Sequence, residues 1–396
     1  MKSSLKWSAD FETTTDKNDC RVWAYALSNI DNPEDFRYGN SIWDFLEFCA
    51  NSKENYEVYF FNLKFDGSFL ISSLMKAGFE YIQDKKDRKD GTFTTLITDT
   101  GTFYAIEIYF EVKKHHTNKV KIIDAMKIFP NFSVEKLAVA FGLNISKLEL
   151  DYNAKREIGH ELSKEEIDYI RNDVEIVARA LKEMFDRGLT KMTLASNAMS
   201  DFKKRCKYFK KFFPELPIKV DEDIRRSYKG GFTYLNEIYK EKVMPAGMTL
   251  DVNSLYPSTM KLMPMPISAP VYYEGKYQSD STYDLYVQSF SCIFELKKGK
   301  IPSIQLKHSF DFQSNEYIKS SNGEEIALNL TKPDFELFMD QYNVTNITYL
   351  GGWKFKSSLH VFDPYIDYWM NEKITAGKEG NKGKRQIAKL MLNSLY

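Results

Sequence analysis

In residues 1–189, apolar positions follow two periods that alternate along the chain. Short apolar or alternating runs predict strands, and apolar residues three or four apart predict helices. The longest helical segment opens with a capping box, Ser163 and Glu166, and Gly188 follows it as a stop signal. This alternation of strands and helices predicts an α/β domain. Residues 5–30 predict a strand, a turn and a second strand at 21–27, and further strands are predicted at 58–61, 94–98, 103–110 and 120–123. The predicted helices are residues 41–49, 68–77, 133–141 and 163–187.

The pattern changes after residue 189. Residues 190–213 keep helical spacing and become basic. Residues 264–360 contain strands and turns with one helix, at 332–341, and predict a separate, mostly β insertion. The remaining predictions are strands at 232–235 and 248–251, helices at 362–373 and 384–396, and a loop rich in glycine and charge at 375–383.

Composition narrows the class of protein. The net charge is +0, so binding to nucleic acid would have to use local basic patches. No segment resembles a signal peptide or a run of about 18 apolar residues, which predicts a soluble, cytoplasmic protein without a membrane partner. The four cysteines form no CxxC pair, which argues against a disulfide framework or a zinc site; they are Cys20, Cys49, Cys206 and Cys292.

Carboxylates of the first domain are candidates for metal binding. Asp10 and Glu12 alternate along a predicted strand and therefore share one face. Asp66 follows another strand, and Tyr169 and Asp173 are four apart on the longest helix. Converging on one point, these groups could form a two-metal site for phosphodiester hydrolysis. Taken separately, each of these motifs is as compatible with a solvated surface as with a metal site.

Two glycines and a later carboxylate stand out in the second half. In Tyr228-Lys229-Gly230-Gly231 the glycines allow close backbone approach beside a cation, or simply form a turn. Asp251 ends a predicted strand before the turn that leads to Pro257, where a Mg²⁺–triphosphate complex could be held, or it merely terminates the strand.

Cations recur on two predicted helices. Residues 203–213 interleave cations with aromatic residues, as either a solvated basic face over a packed aromatic stripe or a DNA contact. On the last helix, one face is apolar. A second face is either the solvated basic face of an ordinary amphipathic helix or a nucleotide-binding surface. That second face carries Arg385, Lys389, Asn393 and Tyr396.

Three motifs of the first domain together resemble the 3′–5′ proofreading exonuclease of family B DNA polymerases. They are Asp-Phe-Glu-Thr-Thr-Thr from Asp10, Asn-Leu-Lys-Phe-Asp-Gly from Asn62, and Tyr-x-x-x-Asp from Tyr169. The order and spacing are most similar to the protein-primed polymerases of small tailed bacteriophages with linear genomes. One departure is Ala125-Met126 after Asp124, where that family usually has Ser-Leu in contact with single-stranded DNA.

The resemblance implies roles for the exonuclease residues. Tyr169 would orient the attacking water, and Lys147 would help position the scissile phosphate. The unpaired 3′ end would be held by Thr13, Asn62 and Phe65, with Phe65 stacking on a base. The implied metal ligands are Asp10, Glu12, Asp66 and Asp173.

The same family supplies matches in the second half. Asp251 to Pro257 matches Asp-x-x-Ser-Leu-Tyr-Pro, which implies that Asp251 binds catalytic metals and that Tyr256 excludes a ribose 2′-OH. Tyr228, Lys229, Gly230 and Gly231 would grip template DNA, with Lys229 in place of the usual Arg. The incoming nucleotide would be bound by Tyr256, Arg385, Lys389, Asn393 and Tyr396.

We therefore predict an α/β fold: a ribonuclease H-like 3′–5′ exonuclease domain (1–189), part of a family B polymerase palm (190–262), a β-rich insertion that contacts a terminal protein (263–358), and helical fingers (359–396). The predicted function is DNA-directed, protein-primed DNA synthesis with proofreading, using Mg²⁺ or Mn²⁺ in two-metal sites. Predicted partners are single-stranded 3′ ends, primer-template DNA, dNTPs and the terminal protein primer.

Two other functions remain open from the residues. One is a stand-alone metal-dependent exonuclease, and the other is a non-catalytic DNA-binding factor. The third polymerase motif, Tyr-x-Asp-Thr-Asp, is not in the sequence, so we expect no templated synthesis from these residues alone. Three explanations would account for the end at Tyr396. The sequence could be a fragment, an incomplete gene, or one part of a natural split whose C-terminal polymerase segment is on another chain.

Overall fold

The computed structural model describes residues 4–16, 18–52, 54–114, 117–146, 148–244, 246–305 and 317–395. The chain forms two compact units. Unit 1 contains residues 1–202 and 366–396, and unit 2 contains residues 203–365. Within the described residues, no helix has both the length and the apolar character that crossing a bilayer requires.

Unit 1 is built on a mixed eight-stranded sheet with the strand order β3-β2-β1-β4-β8-β7-β6-β5. Strand β1 is antiparallel to β2 and parallel to β4, and β4 is parallel to β8. The strands are β1 (Leu5–Thr13), β2 (Val22–Asn29), β3 (Phe36–Gly39), β4 (Tyr56–Phe60), β5 (Glu80–Tyr81), β6 (Thr92–Ile97), β7 (Phe103–Val112) and β8 (Thr117–Asp124). This mixed sheet, together with the helices that cover it, confirms the predicted α/β class.

Helices cover this sheet. Helix α4 packs against β1 and β2, and α3 packs against α4. The helices that begin in unit 1 are α1 (Ile42–Ala50), α2 (Leu63–Lys76), α3 (Val134–Phe141), α4 (Lys164–Phe185) and α5 (Leu194–Arg205). Helix α10 (Asp363–Lys378) ends in unit 1, and α11 (Lys382–Leu392) lies in it and packs against α3 and α4.

The alternation along β1 separates core from site. The Phe11 ring packs 5.0 Å from the Phe45 ring and 4.8 Å from the Phe60 ring, measured between centroids. Burying such a side chain contributes about 2–3 kcal/mol to stability. Asp10 and Glu12 therefore point to the opposite face, as the sequence predicts.

The ends of α4 follow the predicted signals. The Ser163 hydroxyl accepts a hydrogen bond from the Glu166 N–H at 3.2 Å, and Glu166 Oε2 accepts one from the Ser163 N–H at 3.0 Å. This capping box satisfies two N–H groups that the first turn leaves without helical partners. Gly188, with φ of 73°, terminates the segment in the left-handed region that glycine tolerates best.

Unit 2 contains an antiparallel four-stranded sheet with the order β11-β10-β12-β9. Helix α9 covers one face through Phe338, which packs against Phe290, Phe294 and Tyr342. The elements here are α6 (Phe209–Phe212), α7 (Ile218–Arg225), α8 (Leu255–Leu262), β9 (Met265–Tyr273), β10 (Leu285–Leu296), β11 (Ile326–Thr331), α9 (Lys332–Gln341) and β12 (Tyr342–Ser358).

Two adjacent glycines in β12 permit a close approach of the strands. A Cβ on Gly352 would lie 1.9 Å from the Val287 carbonyl oxygen. Gly351 has φ of 108°, and its Cβ would lie 2.5 Å from the Tyr273 carbonyl oxygen. The register with β10 shifts beside them. The pair is therefore required by the sheet.

Two predicted strands are wrong. Residues 232–235 and 248–251 belong to no strand in the structure, and Met248 and Leu250 are more than four-fifths exposed. A strand needs a partner for its N–H and C=O groups, and no described segment pairs with these residues. The apolar run was too short to distinguish a strand from irregular chain.

Three boundaries also differ from prediction. Helix α2 begins at Leu63 instead of residue 68, because Asn62 adopts a left-handed conformation with φ of 72° that redirects the chain. Helix α10 continues to Lys378, so the predicted 375–383 loop shrinks. Helix α11 ends at Leu392, with Asn393 as its C-cap.

Candidate active site

A cleft of about 240 Å³ in unit 1 brings the predicted carboxylates together. Asp10 and Glu12 come from β1, Asp66 from the first turn of α2, and Tyr169 and Asp173 from α4. The remaining lining residues are Ala9, Phe11, Phe61, Asn62, Phe65, Val134, Tyr152, Val174 and Val177.

Small side chains on β2 leave room beside the β1 carboxylates. Asp10 is paired across the strands with Ala26, and Glu12 with Ala24. Opposite residues of an antiparallel pair have Cβ atoms about 4.5–5.5 Å apart, so a larger partner would crowd the carboxylates. The cleft therefore depends on alanine at two positions of the central sheet.

Asp66 is a strongly perturbed acid of the cleft. It is 3% exposed, and its Oδ1 atom is buried without a hydrogen-bond partner among the described residues. Burial, and then the neighbouring Asp10 carboxylate, raise the pKa of Asp66 well above its ordinary value. Hydrogen bonds from the backbone N–H groups of Asp66 and Phe11 lower this pKa only in part, so burial and the like charge of Asp10 prevail.

These properties suit a divalent cation, although the ligand assignment stays a prediction. Hard cations take carboxylate oxygens as ligands and relieve repulsion between the acids, and the buried Asp66 Oδ1 is such an oxygen. As the side chains stand, the described part of the chain gathers no three His, Cys, Asp or Glu groups that could hold a metal ion.

Tyr169 is held at the cleft by a second tyrosine. Its hydroxyl lies 2.7 Å from the Tyr152 hydroxyl. Burial raises the pKa of Tyr169 most, and the Tyr152 hydrogen bond and the Glu12 and Asp173 carboxylates raise it further. The Tyr169 hydroxyl therefore keeps its proton at neutral pH and acts as a hydrogen-bonding group instead of a base.

Tyr152 is a site residue that the sequence did not reveal. It follows the Lys-Leu-Glu-Leu-Asp segment that begins at Lys147, in irregular chain, and it is 48% exposed. Neither periodicity nor a charge pair marks such a position. The only available signal was a second tyrosine close to a predicted site residue.

The residues predicted to hold a 3′ end divide into two groups. Asn62 and the half-exposed Phe65 line the cleft, whereas Thr13 ends β1 and does not line it. Asp124 holds the start of α2, since its Oδ1 accepts hydrogen bonds from the N–H groups of Leu63 at 3.4 Å and Met126 at 3.0 Å. Ala125 is completely buried.

The predicted polymerase residues of unit 2 are exposed. Asp251 lies in irregular chain, and Tyr256 is 48% exposed on the first turn of α8. A Cβ on Gly231 would lie 3.6 Å from the Tyr256 hydroxyl, so these two motifs meet. The apolar run before Asp251 predicted a buried strand that ends at this residue. That prediction is wrong.

The cation of the Tyr228-Lys229-Gly230-Gly231 motif is paired with a carboxylate. Lys229 Nζ lies 3.6 Å from Asp334 Oδ1 on α9, and Tyr228 is 70% exposed. Gly230 has open space around its Cβ position, as close approach by another molecule would require.

The last helix presents its predicted polar face to solvent. Arg385, Lys389 and Asn393 are exposed, while the opposite face is buried. These residues belong to unit 1, whereas Asp251 and Tyr256 belong to unit 2. Two further predicted site residues, Lys147 and Tyr396, lie outside the described residues.

Residues 49–396 match the protein family described as DNA polymerase type B, organellar and viral. The chain belongs to this family, which confirms the predicted phage-type, DNA-directed DNA polymerase. It is 43% identical over 396 residues to the DNA polymerase of Bacillus phage M2, covering all of this chain and 68% of that protein.

Solved structures give the same result. The chain matches phi29 DNA polymerase complexed with single-stranded DNA, with a TM-score of 0.92 and 40% identity over 100% of this chain and 67% of that one. It also matches phi29 DNA polymerase complexed with primer-template DNA and incoming nucleotides, with a TM-score of 0.90 and 40% identity over 100% of this chain and 68% of that one.

Proposed function

We propose that the cleft of unit 1 is a 3′–5′ exonuclease site that hydrolyses the terminal phosphodiester of single-stranded DNA. The observation that carries this proposal is the convergence of Asp10, Glu12, Asp66 and Asp173 on one cleft beside the Tyr169 hydroxyl. The similarity to a polymerase solved with single-stranded DNA supports the choice of substrate.

The chain's own residues would divide the work. The carboxylates would hold two divalent cations, Mg²⁺ or Mn²⁺, which would supply activation of a water and stabilisation of the leaving oxygen. Tyr169, protonated and hydrogen-bonded to Tyr152, orients the attacking water. Phe65 stacks on a base of the unpaired end, for which its half-exposed ring at the cleft is suited.

The rest of the chain fits part of a protein-primed polymerase that acts in the host cytoplasm. The exonuclease domain is ribonuclease H-like, residues 190–262 begin the palm, residues 263–358 contact a terminal protein, and residues 359–396 belong to the fingers. The compact four-stranded sheet of unit 2 supports the separate insertion.

Primer-template DNA and dNTPs are the proposed polymerase ligands. The exposed cations of α11 would contact the triphosphate, and Asp251 would hold the catalytic cations. The similarity to a polymerase solved with primer-template DNA and incoming nucleotides supports this assignment.

The exonuclease proposal is tested with 5′-labelled single-stranded DNA, Mg²⁺ and the 396-residue chain. We expect a ladder that shortens from the 3′ end, disappears with a chelator and is absent for the Asp10→Ala/Asp66→Ala variant. Unchanged degradation by that double variant would refute the assignment of the cleft.

A further inference from the structure

Arg156 is a buried cation in a segment without regular secondary structure. It is 6% exposed, in the chain between α3 and α4. Burying a guanidinium removes its hydration at a high cost unless partners compensate it, so the contacts that Arg156 makes are informative.

Those partners come from three places. The Arg156 Nε donates to Glu166 Oε1 at 2.8 Å, and one Nη donates to the carbonyl oxygens of Asp151 and Ala154, each at 3.1 Å. The guanidinium also lies 4.1 Å from the centroid of the Trp23 ring, where a cation–π interaction adds attraction. One side chain thus ties residues 151–156 to the start of α4 and to β2.

Glu166 is fully engaged as the acceptor. Its second oxygen accepts the Ser163 N–H at 3.0 Å and lies 2.8 Å from His160 Nε2. Burial alone would raise the pKa of Glu166, but hydrogen bonds from His160, Ser163 and Arg156 hold it below its ordinary value. The carboxylate is therefore charged at neutral pH and anchors Arg156 to the helix that carries Tyr169.

The tethered segment contains Tyr152. Half of this side chain is exposed, so burial alone does not fix its position. Its backbone is held by Arg156 through the preceding Asp151 carbonyl and by the Thr15 hydroxyl, which donates to the Tyr152 carbonyl at 3.2 Å. Its hydroxyl meets Tyr169 at 2.7 Å.

We propose that Arg156 is a positioning residue of the exonuclease site, which holds Tyr152 against Tyr169 through the Glu166 and Trp23 contacts. This inference rests on the proposed exonuclease function. Lysine cannot replace the fork, because an ammonium lacks the planar set of donors that spans Glu166 and two carbonyls. Loosening the segment would misplace the tyrosine pair while leaving the carboxylates in position.

The test is a kinetic double-mutant cycle on the full chain with Arg156→Lys, Tyr152→Phe and both together. We expect Arg156→Lys to lower kcat on single-stranded DNA by about ten- to a hundredfold. KM should change by less than about twofold. In the Tyr152→Phe background, the same substitution should lower kcat by less than about twofold, since the contact it maintains is already lost.

Matched variants separate positioning from folding. Arg179→Lys alters a comparable pair, Arg179 with Glu175 on α4, and should leave kcat within about twofold of the wild type. If Arg156→Lys does not fold, Glu166→Gln replaces it in the same cycle with the same expected non-additivity. An equal loss of kcat in both Tyr152 backgrounds would overturn the inference, whereas an inactive wild-type chain would overturn the exonuclease proposal itself.

Discussion

The carboxylate cleft of unit 1 and the Asp251 segment of unit 2 begin as the same kind of signal, an acid within a short motif. Around the cleft, each acid lies on a strand or helix whose other face is in the core. Asp251 follows exposed chain in which the described residues from 231 to 252 form no regular element apart from a 3₁₀ turn at 237–239.

The difference shows what converts a motif into a site. A motif specifies side-chain chemistry, but geometry comes from the burial of the flanking element. Phe11 anchors the strand between Asp10 and Glu12, whereas Met248 and Leu250, which precede Asp251, are exposed. Hydrolysis should therefore depend on the cleft and not on Asp251.

The largest expected effect is a difference in exonuclease kcat between matched amide substitutions in the two regions. Asp66→Asn replaces a buried carboxyl among the proposed metal ligands and should lower exonuclease kcat by about a thousandfold or more. Asp251→Asn should leave it within about twofold of the wild type. Both are measured on single-stranded DNA with Mg²⁺; equal losses would show that the two acids share one site.

Gly352→Ala should test the packing of unit 2. Its Cβ would lie 1.9 Å from the Val287 carbonyl oxygen, and overpacking of this kind costs about 3 kcal/mol. Urea unfolding measures the loss, and exonuclease activity should persist in conditions where unit 1 stays folded. Gly247→Ala, which meets no atom within 4 Å, is the control; identical stability of both variants would contradict the close approach.

Tyr169→Phe should lower kcat by about a hundredfold, because it removes only the hydroxyl that meets Tyr152. Steady-state kinetics measure this loss, and the thermal midpoint reports folding. Tyr59→Phe provides a matched control, since Tyr59 is also buried and its hydroxyl contacts Glu57 outside the cleft. Similar losses of kcat for both variants would remove Tyr169 from the mechanism.

The smallest expected effect is that acid lowers the contribution of Glu166, at the start of α4, to the free energy of unfolding. The pKa of Glu166 is lower in the folded chain than its ordinary value, so its stabilising contribution is complete above about pH 4.3 and is lost as pH falls through the folded pKa. The surrounding charged groups are His160, Arg156 and Glu165. Glu166→Gln should flatten stability against pH in that window, measured by urea unfolding, whereas Glu161→Gln, an exposed neighbour, should not.

Sequence patterns predicted the parts of the fold that local physics determines. Alternation placed Asp10 and Glu12 on one face, and the capping box placed the start of α4 at the correct residue. Helix α9 has the predicted bounds, because Pro333 and the following apolar spacing are local signals.

The remainder depended on tertiary partners. The edge strand β3 was missed because its four residues are mostly polar or exposed, and the strand predicted before Asp251 failed because no described segment pairs with it. Tyr152 was missed since its role comes from its contact with Tyr169 on α4, 17 residues away, and from the contact of Arg156 with the neighbouring Asp151 carbonyl in the same irregular segment. Such contacts leave no periodic trace in a sequence.

The central claim is that the carboxylate cleft is the metal-dependent site. Its most direct test is to measure Mn²⁺ binding to the 396-residue chain by electron paramagnetic resonance, without DNA. We predict that the wild type binds Mn²⁺ and that Asp66→Asn loses most of it. Asp251→Asn should lose much less, because the cations proposed for Asp251 are held together with a nucleotide triphosphate that is absent from this test. Full retention of bound Mn²⁺ by Asp66→Asn, with loss by Asp251→Asn, would contradict the assignment of the carboxylate cleft as the metal-dependent site.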